Sequence, residues 1–150
     1  MALALAFAFA AVAAAAWPDL AAAQTKGGAS IEGSWRLVIN VAGAPGSENS
    51  LATFTGDGSY IEGTSGEGGT GHGAWRQTGD NVFALTFEQL SRDEDSGAMV
   101  RIKVWANITC DASGNAFQAP FRFSVMLLDG TVVQQGTGTA TGTRIAVEPF

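Results

Sequence analysis

The amino-acid sequence predicts an all-β protein, an up-and-down antiparallel β-barrel of eight strands. Three observations predict it. After residue 30, apolar and polar residues alternate, and no segment keeps the three- and four-residue spacing of an amphipathic helix. Short turn sequences rich in glycine and aspartate separate the alternating segments. Eight consecutive strands in an open sheet would leave two unpaired edges, so closure into a barrel is favoured.

The predicted strands follow one another with hairpin-length connections. They span residues 35–41, 51–56, 59–64, 71–77, 81–90, 99–110, 115–128 and 131–145. Two of the turns are Asp57-Gly58 and Asp129-Gly130, and Asp-Gly suits a two-residue turn because it tolerates left-handed backbone angles. Longer loops are predicted at 42–49, 63–71 and 91–97. The last of these carries three consecutive acidic residues and is expected to be solvated.

Turn length sets the register of each hairpin, and the register decides which face every side chain occupies. The predicted turns give the cross-strand pairs Phe54–Ile61, Trp75–Phe83, Ile108–Phe117, Val132–Leu127 and Gln134–Val125. Each turn brings apolar residues opposite one another, so one face of the sheet is predicted to form a continuous apolar interior. The opposite, solvated face is predicted to carry Glu62, Arg76, Glu88, Arg101, Lys103 and Arg122.

The first segment of the chain is typical of an export signal. Residues 1–23 are rich in alanine and end in Ala21-Ala22-Ala23, a small-residue pattern suited to cleavage before Gln24. Trp17-Pro18-Asp19 interrupts the apolar run before it reaches the roughly 20 residues of a membrane span. We therefore expect a signal peptide at 1–23, a flexible segment at 24–30, one barrel domain at 31–150, and a secreted or periplasmic protein. An uncleaved N-terminal anchor is the alternative.

Composition excludes several functions. A net charge of −6 argues against nucleic-acid binding, which requires clustered Lys and Arg. One His and one Cys cannot supply the four nitrogen or sulfur ligands of a structural zinc site, and one Cys cannot form a disulfide within the chain. No metal or cofactor is predicted, and Cys110 is expected to be a small buried apolar residue.

The two ends of the predicted barrel resemble a known superfamily. Gly33-Ser34-Trp35 opens the first strand and Arg144 ends the last, a combination similar to that of the calycins, which include the lipocalins. The chain also resembles small bacterial barrel proteins of unassigned function. The calycin resemblance implies that the guanidinium of Arg144 lies over the indole of Trp35 and closes one end of the barrel. Such a cation–π contact contributes about 0.5–2 kcal/mol.

An eight-stranded barrel is just wide enough to be filled by side chains or to hold one small ligand. The predicted interior combines bulky rings with small residues, among them Gly63, Gly73, Gly136 and Gly138. Either the rings fill the lumen, or they face the small residues across a pocket for a small hydrophobic or aromatic molecule. We favour the pocket, with Gln134 as its orienting polar group. The predicted ligand-binding residues are Phe54, Trp75, Phe83, Phe87, Phe121, Phe123 and Gln134.

Two other functions stay open beside ligand binding. The barrel could house an isomerase or cyclase that uses His72, oriented by Glu88, although the predicted register points His72 outward. It could also be an interaction module whose loops block a partner, as in calycin-type protease inhibitors, and the barrel would then be solid. A binding protein is favoured over an enzyme because no placed nucleophile accompanies the single histidine.

Overall fold

A computed structural model of the 150-residue chain describes residues 28–65, 69–93 and 95–150. The strands are β1 (Gly33–Val41), β2 (Glu48–Phe54), β3 (Ser59–Thr64), β4 (Gly71–Gly79), β5 (Val82–Arg92), β6 (Met99–Cys110), β7 (Ala116–Leu127) and β8 (Val132–Arg144). They pair antiparallel in chain order, and β8 pairs with β1, which closes the barrel. The predicted fold class is confirmed, and the described residues contain no helix. The predicted signal peptide lies outside them, and none of them forms a helix able to cross a bilayer.

One end of the barrel is sealed by the first and last strands. Trp35 lies opposite Arg144 in the β1–β8 ladder, and the guanidinium carbon is 4.3 Å from the centroid of the indole. The same guanidinium donates hydrogen bonds to the backbone carbonyls of Ser30, Glu32 and Gly114. Arg144 therefore joins the end of β8 to residues 30–32 and to the β6–β7 turn over a fully buried Trp35, in the arrangement that the calycin resemblance implies.

Residues 28–30 lie against this closed end. The N–H of Ala29 donates to Oδ1 of Asn81 at 2.6 Å, and the neighbouring Ile31 is fully buried. The indole N–H of Trp35 donates to the carbonyl of Ile31 at 2.9 Å. The sequence predicts a flexible segment at 24–30, whereas hydrogen bonds tie its described part to the barrel. Residues 24–27 lie outside the described residues.

Aromatic rings pack the interior next to the closed end. Phe117 contacts Trp35 with ring centroids 4.8 Å apart, and Trp75 contacts Phe83 at 5.8 Å. Cys110 is buried beside them, as expected, and burial raises the pKa of its thiol. The interior next to the closed end is therefore packed with the rings of Trp35, Trp75, Phe83 and Phe117, which together form an aromatic floor.

The β2–β3 hairpin differs from its predicted register by one residue. The N–H of Thr55 donates to the carbonyl of Ser59, which leaves a loop of three residues, and the last of them, Gly58, has φ +86°. Phe54 therefore lies opposite Tyr60 instead of Ile61. Three-residue hairpin loops with a left-handed residue are the next most common type after two-residue turns.

This difference of one residue exchanges the inward-facing and outward-facing side chains of β3. Because side chains alternate along a strand, a shift of one residue turns each of them to the other side of the sheet. Tyr60 and Glu62 are each 2% exposed inside the barrel, whereas Ile61 is 46% exposed outside it. The predictions that Glu62 lies on the solvated face and Gly63 in the lumen are therefore wrong.

The β7–β8 hairpin has the same kind of loop with a different outcome. The N–H of Leu127 donates to the carbonyl of Thr131, and Gly130 has φ +93°. A β-bulge follows, since Met126 pairs with Val132 but Val125 pairs with Gln134. The predicted pair Val132–Leu127 is wrong, but the bulge restores the register, and Gln134 lies opposite Val125 as predicted.

In the β4–β5 and β6–β7 hairpins the register differs from the predicted one by two residues. Trp75 lies opposite Leu85 instead of Phe83, and Phe117 lies opposite Cys110 instead of Ile108. A shift of two residues leaves every side chain on its predicted face. The apolar faces predicted for strands β4–β7 are therefore confirmed in spite of these offsets.

Candidate functional site

A cavity of about 190 Å³ lies inside the barrel, between the aromatic floor and the loops at the other end. Its walls are mostly apolar and include Leu37, Ile39, Leu85, Val104 and Ala106. Glu48 lines the cavity and is itself exposed, so the cavity reaches solvent at the end away from Trp35. The lumen is therefore partly open, whereas a barrel filled by its own side chains would leave no such space.

Four of the predicted ligand-binding residues line this cavity, namely Phe54, Phe87, Phe121 and Phe123. Trp75 and Phe83 lie instead in the aromatic floor, where the indole N–H of Trp75 donates to the carbonyl of Thr55 at 3.1 Å. They lie between the cavity and the closed end of the barrel and do not line the cavity.

Gln134 is not a cavity residue either. It keeps the predicted position opposite Val125, but the whole stretch 128–135 is exposed. The start of β8 therefore projects into solvent beyond the cavity, and Gln134 is exposed. The polar groups of the lumen belong to other strands.

The glycines of β8 do not leave space in the lumen, contrary to expectation. Gly138 lies directly opposite Phe121, and a Cβ at Gly138 would come within 2.3 Å of the ring. Gly136 has the same relation to Phe123, at 2.6 Å. Each ring thus covers the backbone of the glycine on the neighbouring strand, an arrangement that stabilises glycine-containing sheets. The free volume borders small side chains such as Ala140 instead.

A buried carboxyl group lies in the cavity wall. Oε1 of Glu62 accepts a hydrogen bond from the hydroxyl of Ser50 at 2.6 Å, and Oε2 accepts one from the hydroxyl of Tyr60 at 2.8 Å. Burial raises the pKa of Glu62, and the negative charge of Glu48 adds to this, while the two hydrogen bonds oppose it. Burial, together with the adjacent Glu62, also raises the pKa of Tyr60 well above its usual value.

Further polar groups lie near this carboxyl. Thr64 and Gln89 line the cavity together with Glu48, and the hydroxyl of Thr64 is buried without a hydrogen-bond partner among the described residues. Among the described residues that line the cavity there are two carboxylic acids and no Lys, Arg or His. The cavity therefore combines an apolar body with an acidic polar wall.

The sequence prediction missed Ser50, Tyr60 and Glu62. A signal for them exists, because glycine stands on both sides of Asp57 and makes a three-residue loop as reasonable as a two-residue turn. Counting the longer loop places Tyr60 and Glu62 on the same face as Phe54.

His72 and Glu88 lie on the outer face, directly opposite each other. His72 is exposed, as its predicted direction requires. The carboxylate of Glu88 is 3.2 Å from the ammonium of Lys103 and 3.7 Å from the guanidinium of Arg101. Neither His72 nor Glu88 lines the cavity, so they cannot act together on a molecule bound in the lumen.

Fold and site together define a class, an eight-stranded antiparallel β-barrel with an internal cavity, consistent with a lipocalin-like fold. No protein-family model, curated protein or solved structure matches the chain.

Proposed function

We propose that this protein is an exported, lipocalin-like barrel of the calycin type that binds a small, mainly apolar molecule in its lumen without changing it. The observation that carries the proposal is the cavity of about 190 Å³ with mostly apolar walls and an open end. Apolar cavities of about 150 Å³ in protein interiors take up benzene. The lumen therefore has room for one molecule with a single ring or a short chain.

Export is proposed on the sequence alone. The alanine-rich segment 1–23 precedes the barrel, and its composition and length suit a cleaved signal peptide. A binding protein in a secreted or periplasmic location meets its ligand outside the cytoplasm, which fits a single domain with an open-ended cavity.

The two alternative functions have less support. An enzyme that uses His72 would need the imidazole in the lumen, and His72 is exposed on the outer face. An interaction module that acts through its loops was expected to have a solid barrel, and the described interior contains a cavity. Ligand binding is the function that uses this cavity.

A cavity-filling variant tests the proposal. Ala140 lines the cavity, and its neighbour Thr141 is exposed on the outer face of the same strand. We expect Ala140→Phe to weaken the binding of a neutral aromatic molecule such as ethylbenzene at least tenfold, because the new ring occupies the ligand volume. Thr141→Phe is the matched control and should bind as the unmodified protein does.

Isothermal titration calorimetry measures the affinities, and far-UV circular dichroism checks that each variant is folded. Ala106→Phe, on β6, serves as a second filling variant. Equal ethylbenzene affinity in the filled and control variants would overturn the proposal. Failure of the unmodified protein to bind any small apolar molecule would do the same.

A further inference from the structure

The charge of Glu62 is not balanced by the described residues. Glu62 as a whole is 2% exposed, and its two hydrogen-bond partners are the neutral hydroxyl groups of Ser50 and Tyr60. The ion pairs of the described residues involve Glu88 on the outer face and not Glu62. Buried charges in proteins are normally paired with an opposite charge, because desolvation without a partner costs several kcal/mol. The ionised form of Glu62 therefore lacks the cation that would balance its charge.

The carboxylate also has unused hydrogen-bonding capacity. An ionised carboxyl group offers about four lone-pair sites, and Ser50 and Tyr60 occupy one on each oxygen of Glu62. An ammonium group is the complementary partner, with up to three N–H donors and no acceptor. Since Glu62 lines the cavity, a donor that enters the lumen can reach it.

The groups around Glu62 favour a cation over an anion. Glu48 on β2 adds a second negative charge to the same cavity, and Tyr60 is the other titratable group on β3 that faces the lumen. On β4, Gly71 lies opposite Glu62 and His72 faces outward. The ring of Phe87 on β5 lies 5.1 Å from that of Tyr60, and aromatic faces attract cations.

From this geometry we infer that the ligand is a small organic amine, whose ammonium group pairs with the carboxylate of Glu62 while its apolar body lies among the phenylalanine rings. The inference deepens the proposed function and rests on it. The apolar part is small, because about 190 Å³ accommodates one ring with a short chain. An arylalkylamine fits both the volume and the charge.

Three compounds of matched shape test the inference in the unmodified protein. They are 2-phenylethylamine, its neutral analogue propylbenzene, and the anionic 3-phenylpropionate. We expect the amine to bind about tenfold more tightly than propylbenzene and the anion to bind least, since Glu62 and Glu48 repel it. Isothermal titration calorimetry gives the three affinities directly.

Proton linkage provides a second measurement that needs no variant. The ammonium pairs with the ionised form of Glu62, and burial holds the pKa of Glu62 above its usual value in the free protein. Below that raised pKa, amine binding therefore releases up to one proton per site, and amine affinity increases as the pH rises through it. Titrations in buffers of different ionisation enthalpy measure the released protons.

The variant Glu62→Gln keeps the shape of the side chain and removes its charge. We expect amine affinity to fall at least tenfold and proton release to disappear, while propylbenzene affinity is retained. Glu148→Gln, in the exposed C-terminal segment, is the charge-matched control and should change neither.

The outcomes distinguish failure of the amine inference from failure of the proposed ligand binding in the lumen. If propylbenzene binds as tightly as the amine, or if Glu62→Gln leaves amine affinity unchanged, the amine inference is overturned and lumen binding stands. If 3-phenylpropionate binds most tightly, the inference is also overturned, because a protonated Glu62 would then serve as a donor to an anion. If none of the three compounds binds, both the inference and the proposed function fail.

Discussion

The β2–β3 and β7–β8 hairpins begin with the same turn and end with opposite interior surfaces. Both have Asp-Gly in a three-residue loop, with the glycine at φ +86° in the first and +93° in the second. In β7–β8 a bulge between Val125 and Met126 compensates for the extra loop residue. In β2–β3 the register runs from Phe54 to Ser50 without a shift.

The presence or absence of that bulge determines what each hairpin places in the lumen. Without it, β3 directs Tyr60 and Glu62 inward and forms the polar wall. With it, β8 keeps glycines opposite the rings of Phe121 and Phe123 and forms an apolar wall. In a closed ring of eight strands, β3 and β7 lie across the barrel from each other. The polar and the apolar wall of the cavity therefore result from one bulge residue that the β7–β8 hairpin has and the β2–β3 hairpin lacks.

The largest effect is expected at Gly138 in the apolar wall, where both an aromatic ring and a neighbouring backbone crowd the glycine. A Cβ at Gly138 would come within 2.3 Å of the ring of Phe121 and 2.4 Å of the backbone oxygen of Asn40. Overpacking of this kind costs roughly 1–3 kcal/mol, occasionally more, and a clash with backbone cannot be relieved by a rotamer change. We expect Gly138→Ala to lower the free energy of unfolding by about 3 kcal/mol, measured by urea denaturation.

Gly63, on β3, provides the matched control in the other hairpin. It faces solvent, and nothing lies within 4 Å of a Cβ at this position. We expect Gly63→Ala to be neutral or to stabilise by up to about 1 kcal/mol, because alanine restricts the unfolded chain. Similar losses in the two variants would contradict the contrast between close packing at Gly138 and open space at Gly63.

An intermediate effect is expected in the polar wall. Ser50 is 4% exposed and donates to Glu62, so Ser50→Ala leaves a buried oxygen of Glu62 without its partner. Loss of a partner for a buried charged group costs about 1–3 kcal/mol, and we expect about 2 kcal/mol in urea denaturation.

Ser124 on β7 is the comparison residue for Ser50, since it is equally buried but on the outer side of the sheet. Its hydroxyl accepts a hydrogen bond from the amide of Gln135, which is exposed and can bond to water instead. Ser124→Ala should therefore cost about 1 kcal/mol or less. A cost for Ser50→Ala no greater than that for Ser124→Ala would show that Glu62 is well solvated.

Much of the fold could be predicted from the sequence, because strand existence depends on local alternation and turn residues. Strands β3 and β6 have their predicted bounds, and Trp35 lies opposite Arg144, as the calycin resemblance implied. Errors of two residues in the β4–β5 and β6–β7 turns did not matter for the interior, because an even shift preserves the face.

The polar wall could not be predicted in the same way. A two-residue turn at Asp57-Gly58 places Glu62 outside and Ile61 inside, and an apolar residue in the lumen agrees with the usual packing preference. Burying a carboxyl group opposes the usual segregation of charge. The local sequence allows both loop lengths, and packing preference favours the register that the structure does not adopt. Departures of this kind are expected at functional sites.

The smallest effect concerns the pH dependence of stability, and it again separates the two hairpins. Asp57 and Asp129 are exposed turn residues whose pKa values are lowered, the first mainly by the hydroxyl of Thr55 and the second mainly by the backbone N–H of Thr131. Each contributes stability that is lost as the pH falls through and below the ordinary aspartate pKa of 3.8. Both hairpins share this loss at acidic pH.

Of the two hairpins, only β2–β3 also loses stability at higher pH, because it contains Glu62. The ordinary pKa of a glutamate, 4.5, applies to Glu62 in the unfolded chain, and burial raises this pKa in the folded protein. Between these two pKa values, the unfolded chain has released the proton of Glu62 and the folded protein retains it. Stability therefore falls as the pH rises through this window, by at most about 1.4 kcal/mol for each unit that separates the two pKa values. Above the raised pKa, the contribution of Glu62 no longer changes.

Urea denaturation of the unmodified protein, Glu62→Gln and Asp129→Asn between about pH 2 and pH 8 measures this difference. We expect the decline above pH 4.5 to be absent in Glu62→Gln and retained in Asp129→Asn, which should instead lose part of the decline at acidic pH. Parallel curves for the unmodified protein and Glu62→Gln would mean that Glu62 titrates alike in the folded and unfolded chain. The carboxyl group would then be hydrated in the lumen, and the polar wall would not differ energetically from the exposed surface of the β7–β8 hairpin.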